Sequence, residues 1–263
     1  MHAAALIDPL YAVSGFLVGL LVGLTGTGGG SLMTPLLVLL FGVHPETAVG
    51  TDLLYAACTK TVGTLVHGTR STVEWRIVGL LASGSLPAAL LTLYGLVRLG
   101  APSDSVSRLV SMVLGLALLV TAVSLMFRNP IRRWATRGRH TRAPRRAALL
   151  TVLTGLVLGV VVSISSVGAG AIGVTVLILL YPHLSISRVV GSDIAHAVPL
   201  TLAAGLGHWW IGSVNWSLFA ALITGSIPGI ILGSLVASRV SDRILSPVLA
   251  VVLLLVGGKL LLE

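Results

Sequence analysis

The sequence predicts an all-α, polytopic membrane protein built from two homologous halves in inverted orientation. Three observations predict it. Of 263 residues, 55% are hydrophobic and only 10% are charged, whereas soluble domains carry about 25% charged residues. Ten apolar runs follow one another along the chain, from Tyr11–Leu24 to Ile244–Leu262, several of them near the roughly 20 residues that cross a bilayer as a helix. The third observation is that the chain repeats itself.

Gly15, Gly19, Gly28 and Gly30 recur as Gly155, Gly159, Gly168 and Gly170. After one inserted residue, Gly50-Thr51-Asp52 matches Gly191-Ser192-Asp193, His67 matches His208, and Trp75 matches Trp216. Gly84, Ser85 and Pro87 match Gly225, Ser226 and Pro228. Chance does not keep so many Gly, Asp, His, Trp and Pro residues in step. The organisation read from this is a first transmembrane repeat over 1–127, an arginine-rich linker over 128–146 and a second repeat over 147–263.

Each half begins with a short apolar run, a Gly-rich break and a second short run. These form either a re-entrant hairpin, two tilted crossings or one broken helix. Three long apolar segments follow, the first opened by helix-start chemistry at Pro45-Glu46-Thr47 and Ser185-Ile186-Ser187. Pro87 and Pro228 fall mid-helix and read as kinks.

Eight of the 17 basic residues lie between Arg128 and Arg146. The positive-inside rule places this linker in the cytoplasm, with contact to lipid headgroups a secondary role. An odd number of crossings per half then puts Arg70, Arg76, Arg188, Arg239 and Arg243 inside and Arg98, Arg108 and Lys259 outside. An even number reverses that preference, so charge favours inverted halves with both termini periplasmic. No basic n-region precedes the first run, and no cleaved signal peptide is expected. Cys58, alone in the chain, excludes an internal disulfide. The net charge of +9 is a topology signal, and no nucleic-acid partner is expected.

Candidate chemistry begins at the breaks, Thr25–Ser31 and Ser163–Ala171. Unwound backbone at membrane depth requires protein or a water-filled cavity to satisfy it. Helix N–H groups starting there, at Gly28, Gly29, Gly30 and Ser31 and at Gly168, Ala169 and Gly170, form a candidate anion site. Hydroxyls of Thr27, Thr51, Ser166 and Ser192 are candidate donors. Close helix packing through small residues is the competing role. The glycines are not a nucleotide-binding loop, since no lysine follows them.

Ionisable residues inside apolar runs are the next candidates. Asp52 and Asp193 sit about one turn into matching helices, as proton carriers or as first-turn partners of the helix dipole. Lys60 lies eight residues beyond Asp52, as a cationic contact for an anion or as a buried ion-pair member; its counterpart is Thr201. His196, matching Tyr55, is a proton relay or a satisfied buried histidine. His67 and His208, near Trp75 and Trp216, read as interfacial anchors. An intramembrane protease would need a serine with a positioned histidine, and nothing beyond the spacing of Ser192 and His196 suggests one.

The Gly-rich break, the run Ala48-Val49-Gly50-Thr51-Asp52 and the His67-to-Trp75 spacing resemble the TauE/SafE family of sulfite and organosulfur anion exporters, across 11–262 and in both halves. The resemblance implies a bacterial inner-membrane permease for a small sulfur-containing anion such as sulfite, thiosulfate or a sulfonate. In that family serine commonly follows Gly-Thr, where this chain has Asp52 and Asp193.

The expectation is a secondary transporter, not an enzyme, with no cofactor and no resident metal. The anion would bind between the halves, protons would couple through Asp52, Asp193 or His196, lipids would surround the protein, and a homodimer is open. Two alternatives are a nickel or cobalt permease using Asp52, Asp193 and His196, and a non-transporting scaffold or biogenesis factor.

Overall fold

The structure, a computed structural model, describes residues 9–25, 29–69, 72–101, 103–137, 144–236 and 242–262. Thr27 and Gly28 of the first break, Arg70, Arg239 and linker residues 138–143 lie outside the described residues. The first half contains α1 (Pro9–Thr25), a 3-10 turn (Gly29–Leu32), α2 (Met33–Leu39), α3 (Pro45–Thr69), α4 (Trp75–Arg98) and α5 (Asp104–Arg137). The second contains α6 (Pro144–Ser165), α7 (Ile172–Leu180), α8 (Ile186–Ile211), α9 (Trp216–Val236) and α10 (Asp242–Leu262). The described residues hold no strand.

The protein is polytopic and all-α. Among the described residues, five helices are long and apolar enough to cross a membrane: α4, α5 as far as Arg128, α6, α8 and α9 as far as Gly233. Leu10–Leu24 of α1 and Ser246–Leu262 of α10 are shorter apolar helices. α3 has the length, but it carries Glu46, Asp52 and Lys60. The surface is apolar where a soluble protein would be polar: Leu91 is 71% exposed, Leu235 71% and Leu255 70%. Lipid is the solvent that such a face requires.

α2 and α7 do not cross. A helix rises 1.5 Å per residue, so α7, with nine residues, spans about 14 Å of a roughly 30 Å core. Each short helix instead doubles back along the helix before it. The Thr151 hydroxyl on α6 bonds Tyr181, just past the end of α7, at 2.8 Å. A cavity of about 340 Å³ brings Pro144 and Ala147 at the start of α6 together with Leu180–His183 and with Arg76 at the start of α4. In the first half the rings of Tyr11 and Phe41 meet at 4.8 Å and close α1 against the end of α2 in the same way. Both short runs are therefore re-entrant hairpins, one of the three forms open in the sequence.

Glycine sets how closely the helices pack. A methyl at Gly15 would strike the Leu222 carbonyl, and one at Gly19 the Ser226 carbonyl, so α1 and α9 run parallel with backbones touching. Gly155 meets Leu81 and Gly159 meets Ser85 in the matching way, joining α6 to α4. Gly225 against Ala12 repeats as Gly84 against Val152. The repeat seen in the sequence is thus a repeat of contacts, and every one of these contacts joins one half to the other. In the absence of a hydrophobic driving force, small residues let van der Waals contact hold helices together in lipid.

α3 and α8 cross in the centre in opposite directions: Gly50 lies by His208 and Ser213, Gly63 by Ile194, and Gly205 by Leu54. Ser185 caps α8, its side chain accepting the N–H of Arg188. The arginine-rich stretch is not all loop. α5 continues through Arg137, and helix resumes at Pro144.

Candidate functional site

The second break is a buried loop at the end of α6. Every residue from Ser163 to Ala171 is buried. Its backbone departs from helix at Gly168 (φ 120°) and Gly170 (φ 114°), which glycine tolerates. Ser166 also has positive φ, at 59°. A non-glycine residue there is held by its surroundings, and such positions cluster at functional sites. Ala169, between the glycines, is packed into the core.

Ser166 points across the boundary between halves, towards Asp52 on α3. Asp52 is buried at 1% exposure. Thr34 in the first turn of α2 donates its hydroxyl to one Asp52 oxygen, and the other oxygen has no partner. Asp193, on the matching turn of α8, is fully buried, and neither oxygen has a hydrogen-bond partner. Its Oδ1 lies directly over Gly173 in the first turn of α7, where any Cβ would collide with it. Each aspartate thus reaches the start of the short helix in its own half, where the helix dipole favours negative charge.

Arg128 on α5 lies within electrostatic reach of Asp193, and Lys60 completes the cluster. It is half-buried on α3 and lies within electrostatic reach of Asp52, Asp193 and His196. Among the described residues it forms no contact ion pair of the kind that joins Arg188 to Glu74. A lysine within electrostatic reach of two carboxylates, with no contact ion pair to either, leaves donor capacity free.

His196 and Tyr55, one turn beyond the aspartates, occupy matching places. His196 Nε2 is 2.8 Å from Ser85 Oγ on α4. Tyr55 faces Ser226 on α9 and also feels Asp52. Both pairs join one half to the other.

Two expected donors, Ser192 and Thr51, also hold backbone groups of the other half or of their own helix. Ser192 Oγ accepts the N–H of Glu74 at 2.8 Å and donates to the Arg188 carbonyl at 2.7 Å. Thr51 Oγ1 accepts the N–H of Asn215 at 3.1 Å. Glu74 and Asn215 precede α4 and α9, so these hydroxyls tie the third helix of each half to the start of the fourth helix of the other. Ser192 and His196, occupied separately, form no nucleophile–base pair. The described residues of the first break, Gly29, Gly30 and Ser31, form the 3-10 turn leading into α2, with Ser31 buried.

His208 is a functional candidate that the sequence alone places at the water boundary. It is 1% exposed, and its Nε2 lies 2.8 Å from the Ser163 carbonyl. The break and the end of α8 are far apart in sequence, and the match to His67 carries no sign of burial. Among the described residues, no three of His, Cys, Asp and Glu gather as metal ligands.

Re-entrant hairpins from both halves, meeting ionisable residues at a central helix crossing, define the class: a multi-pass membrane transporter. The chain belongs to the sulfite exporter TauE/SafE family, whose model matches residues 11–260. It is 39% identical over 214 residues to the probable membrane transporter protein YjnA of Bacillus subtilis strain 168, covering 81% of this chain and 84% of that one. It is 27% identical to the probable membrane transporter protein YdhB of the same organism, covering 81% and 83%. A probable membrane transporter protein of Xylella fastidiosa strain Temecula1 is 29% identical, covering 81% and 78%. No solved structure matches the chain significantly.

Proposed function

We propose that this protein is a proton-coupled secondary transporter of a small sulfur-containing anion, such as sulfite, thiosulfate or a sulfonate. The observation that carries the reading is the central cluster, in which half-buried Lys60 faces Asp52 and Asp193 without contacting either. Ser166, towards Asp52, and Tyr55, towards Ser226, add buried hydroxyls. Lysine and hydroxyl groups are donors suited to an oxyanion.

The two aspartates give the site its coupling. With both ionised, Lys60 charged and Arg128 within electrostatic reach of Asp193, the cluster is neutral overall and offers an anion no net attraction. A proton on one carboxylate makes it positive, and a second makes it more so. Anion and proton therefore bind together and leave together, with His196 beside them to exchange protons through Ser85. Buried carboxylate oxygens without donors are costly, so the empty, doubly ionised cluster is the least favourable state. Loading with a proton and an anion lowers that cost and keeps the cluster neutral overall.

The two halves are read as inverted-topology repeats, supported by the antiparallel α3 and α8 and by the parallel pairs α1–α9 and α4–α6. The linker faces the cytoplasm of the bacterial inner membrane and both termini face the periplasm, a reading carried by the arginine distribution. Rocking of one unit against the other around the fixed crossing would expose the site alternately.

Equilibrium binding of labelled sulfite to detergent-purified protein tests the site. Wild type should bind and Lys60→Met should not, while both elute as folded protein. Equal binding by the two would remove Lys60 from the site. A nickel or cobalt permease finds no support in the same cluster, where Lys60 would repel a divalent cation.

A further inference from the structure

The cavity of about 340 Å³ at the linker end of the molecule shares no residue with the central cluster. It lies at the membrane boundary, where three elements meet. The span of α4 begins there at Trp75, that of α6 begins at Pro144, and α7 has just ended at Leu180. α4 comes from the first half, and α6 and α7 come from the second. The cavity therefore straddles the joint between the halves.

Its wall is mostly apolar. Ile77, Leu80, Ala147, Leu180 and Pro182 line it, and the Tyr181 hydroxyl is already bonded to Thr151 at 2.8 Å. Two polar side chains remain in the lining, Arg76 and His183. The His183 ring meets Tyr181 edge to face at 6.1 Å, and Arg76 is exposed. Glu74, the acid nearest to Arg76 in the chain, is held by Arg188 at 2.6 Å. Among the described residues Arg76 thus has no acidic partner. Arg145 and Arg146, exposed in the first turn of α6, add further positive charge next to Ala147.

We propose that this cavity binds an anionic phospholipid, with the phosphate on Arg76 and His183 and the start of an acyl chain along Ile77, Leu80 and Leu180. A guanidinium matches phosphate through paired N–H donors. Two helices, α4 and α6, start at the cavity and one, α7, ends there, so the helix dipoles on balance favour an anion. A small hydrated anion would gain nothing from the apolar wall, whereas an acyl chain covers it. Ligand pockets run from about 300 to 1,000 Å³, so this one holds a headgroup phosphate and the first carbons. The rest of the lipid lies in the bilayer, beside the exposed Leu149 and Leu153 of α6. Basic pockets between helices at the membrane boundary suit anionic headgroups.

The repeat copies the hairpin without copying this pocket. Trp75 and Trp216 are matched positions, so Arg76 corresponds to Ser217, which brings no charge. In the first half the rings of Tyr11 and Phe41 pack together where Thr151 and Tyr181 share a hydrogen bond. The cationic pocket is thus a property of the linker end. A lipid bound in it joins Arg76 of one half to the foot of the other half's hairpin, the hairpin that carries the buried break. Occupancy should hold α7 in place and raise the stability of the protein.

Delipidated full-length protein in detergent tests the site with three probes: phosphatidylglycerol, phosphatidylcholine and glycerol 3-phosphate, which carries the phosphate without chains. Native mass spectrometry counts bound lipid, and the thermal midpoint reports its effect. Wild type should retain one phosphatidylglycerol about tenfold or more tightly than phosphatidylcholine, and only phosphatidylglycerol should raise the midpoint. Arg76→Gln should weaken that binding about tenfold. Ala148→Trp, which fills the cavity from its lining, should abolish it, and Arg108→Gln, at the opposite end, should leave it unchanged. Equal retention of the two lipids by wild type overturns the proposal, whatever the variants do. So does phosphatidylglycerol binding that survives unchanged in both Arg76→Gln and Ala148→Trp. Glycerol 3-phosphate that raises the midpoint as much as the lipid would mark a soluble-phosphate site instead. Arg76→Gln that loses labelled sulfite yet keeps phosphatidylglycerol would make the cavity a mouth for the transported anion, and would also overturn the lipid site.

Discussion

Ser192 Oγ holds the backbone N–H of Glu74 at 2.8 Å across the boundary between the halves. Thr51 holds that of Asn215 in the matching place. Removing either hydroxyl leaves a part-buried N–H without its partner, which costs about 0.5–1.5 kcal/mol. Ser192→Ala and Thr51→Val should each lower the thermal midpoint in detergent, with nearly additive effects because the two ties lie at separate places. Affinity for the anion should be unchanged. A loss of affinity at unchanged stability would make these hydroxyls ligands after all.

The glycine contacts predict a sharp contrast between sites. Gly84→Val drives a side chain into the Val152 carbonyl, and overpacking of this kind costs about 1–3 kcal/mol. A Cβ added at Gly79 or Gly258 would meet nothing within 4 Å. Alanine at these helical positions should be neutral or raise stability by up to about 1 kcal/mol. Melting curves of the three variants check this, and equal behaviour would contradict the packing account.

Much of this architecture is legible in the sequence. The offset between halves places Gly15 opposite Gly155 and Asp52 opposite Asp193, and the structure turns those matches into matching contacts. Apolar length separates the crossing helices from the two short runs, although not the hairpin from its alternatives, because periodicity carries no information on direction. Thr51 and Ser192 read as paired donors, but their partners lie 164 and 118 residues away, and separations of that size leave no local trace. Glu46 reads as ordinary helix-start chemistry for the same reason: Ser103 and Ser107, which bond its buried carboxylate, come from the start of another helix. The arginine-rich stretch reads as a loop by charge, yet arginine is a good helix former, and α5 runs on into it as far as Arg137.

Replacing both central carboxylates separates binding from coupling. Asp52→Asn and Asp193→Asn keep the shape and remove the titrating group, resembling the protonated state. Wild-type net uptake should rise as the outside becomes more acidic, because a bound proton accompanies the anion. In the asparagine variants exchange should persist and lose its dependence on pH. Flux measured over a pH series checks this, and pH-dependent exchange that survives in both variants would place the coupling group elsewhere.

His196 and Ser85 offer a test of asymmetry. Their counterparts, Tyr55 and Ser226, hold the same position in the other half, with a phenol where His196 has an imidazole. His196→Tyr makes the two positions alike. If His196 serves proton exchange, this variant should keep anion binding and slow pH-driven uptake by about tenfold or more. Unchanged uptake would reduce His196 to a packing role.

The central claim is that Lys60, within electrostatic reach of Asp52 and Asp193, holds an anion that the protein carries across the membrane. Counterflow of labelled sulfite in proteoliposomes tests it most directly, with wild type, Lys60→Met and Lys60→Arg compared side by side. Wild type should accumulate label transiently, Lys60→Met should show none, and Lys60→Arg should retain part of the activity through its positive charge. Counterflow that is equal in wild type and Lys60→Met, or counterflow of nickel or cobalt in place of sulfite, would contradict the account.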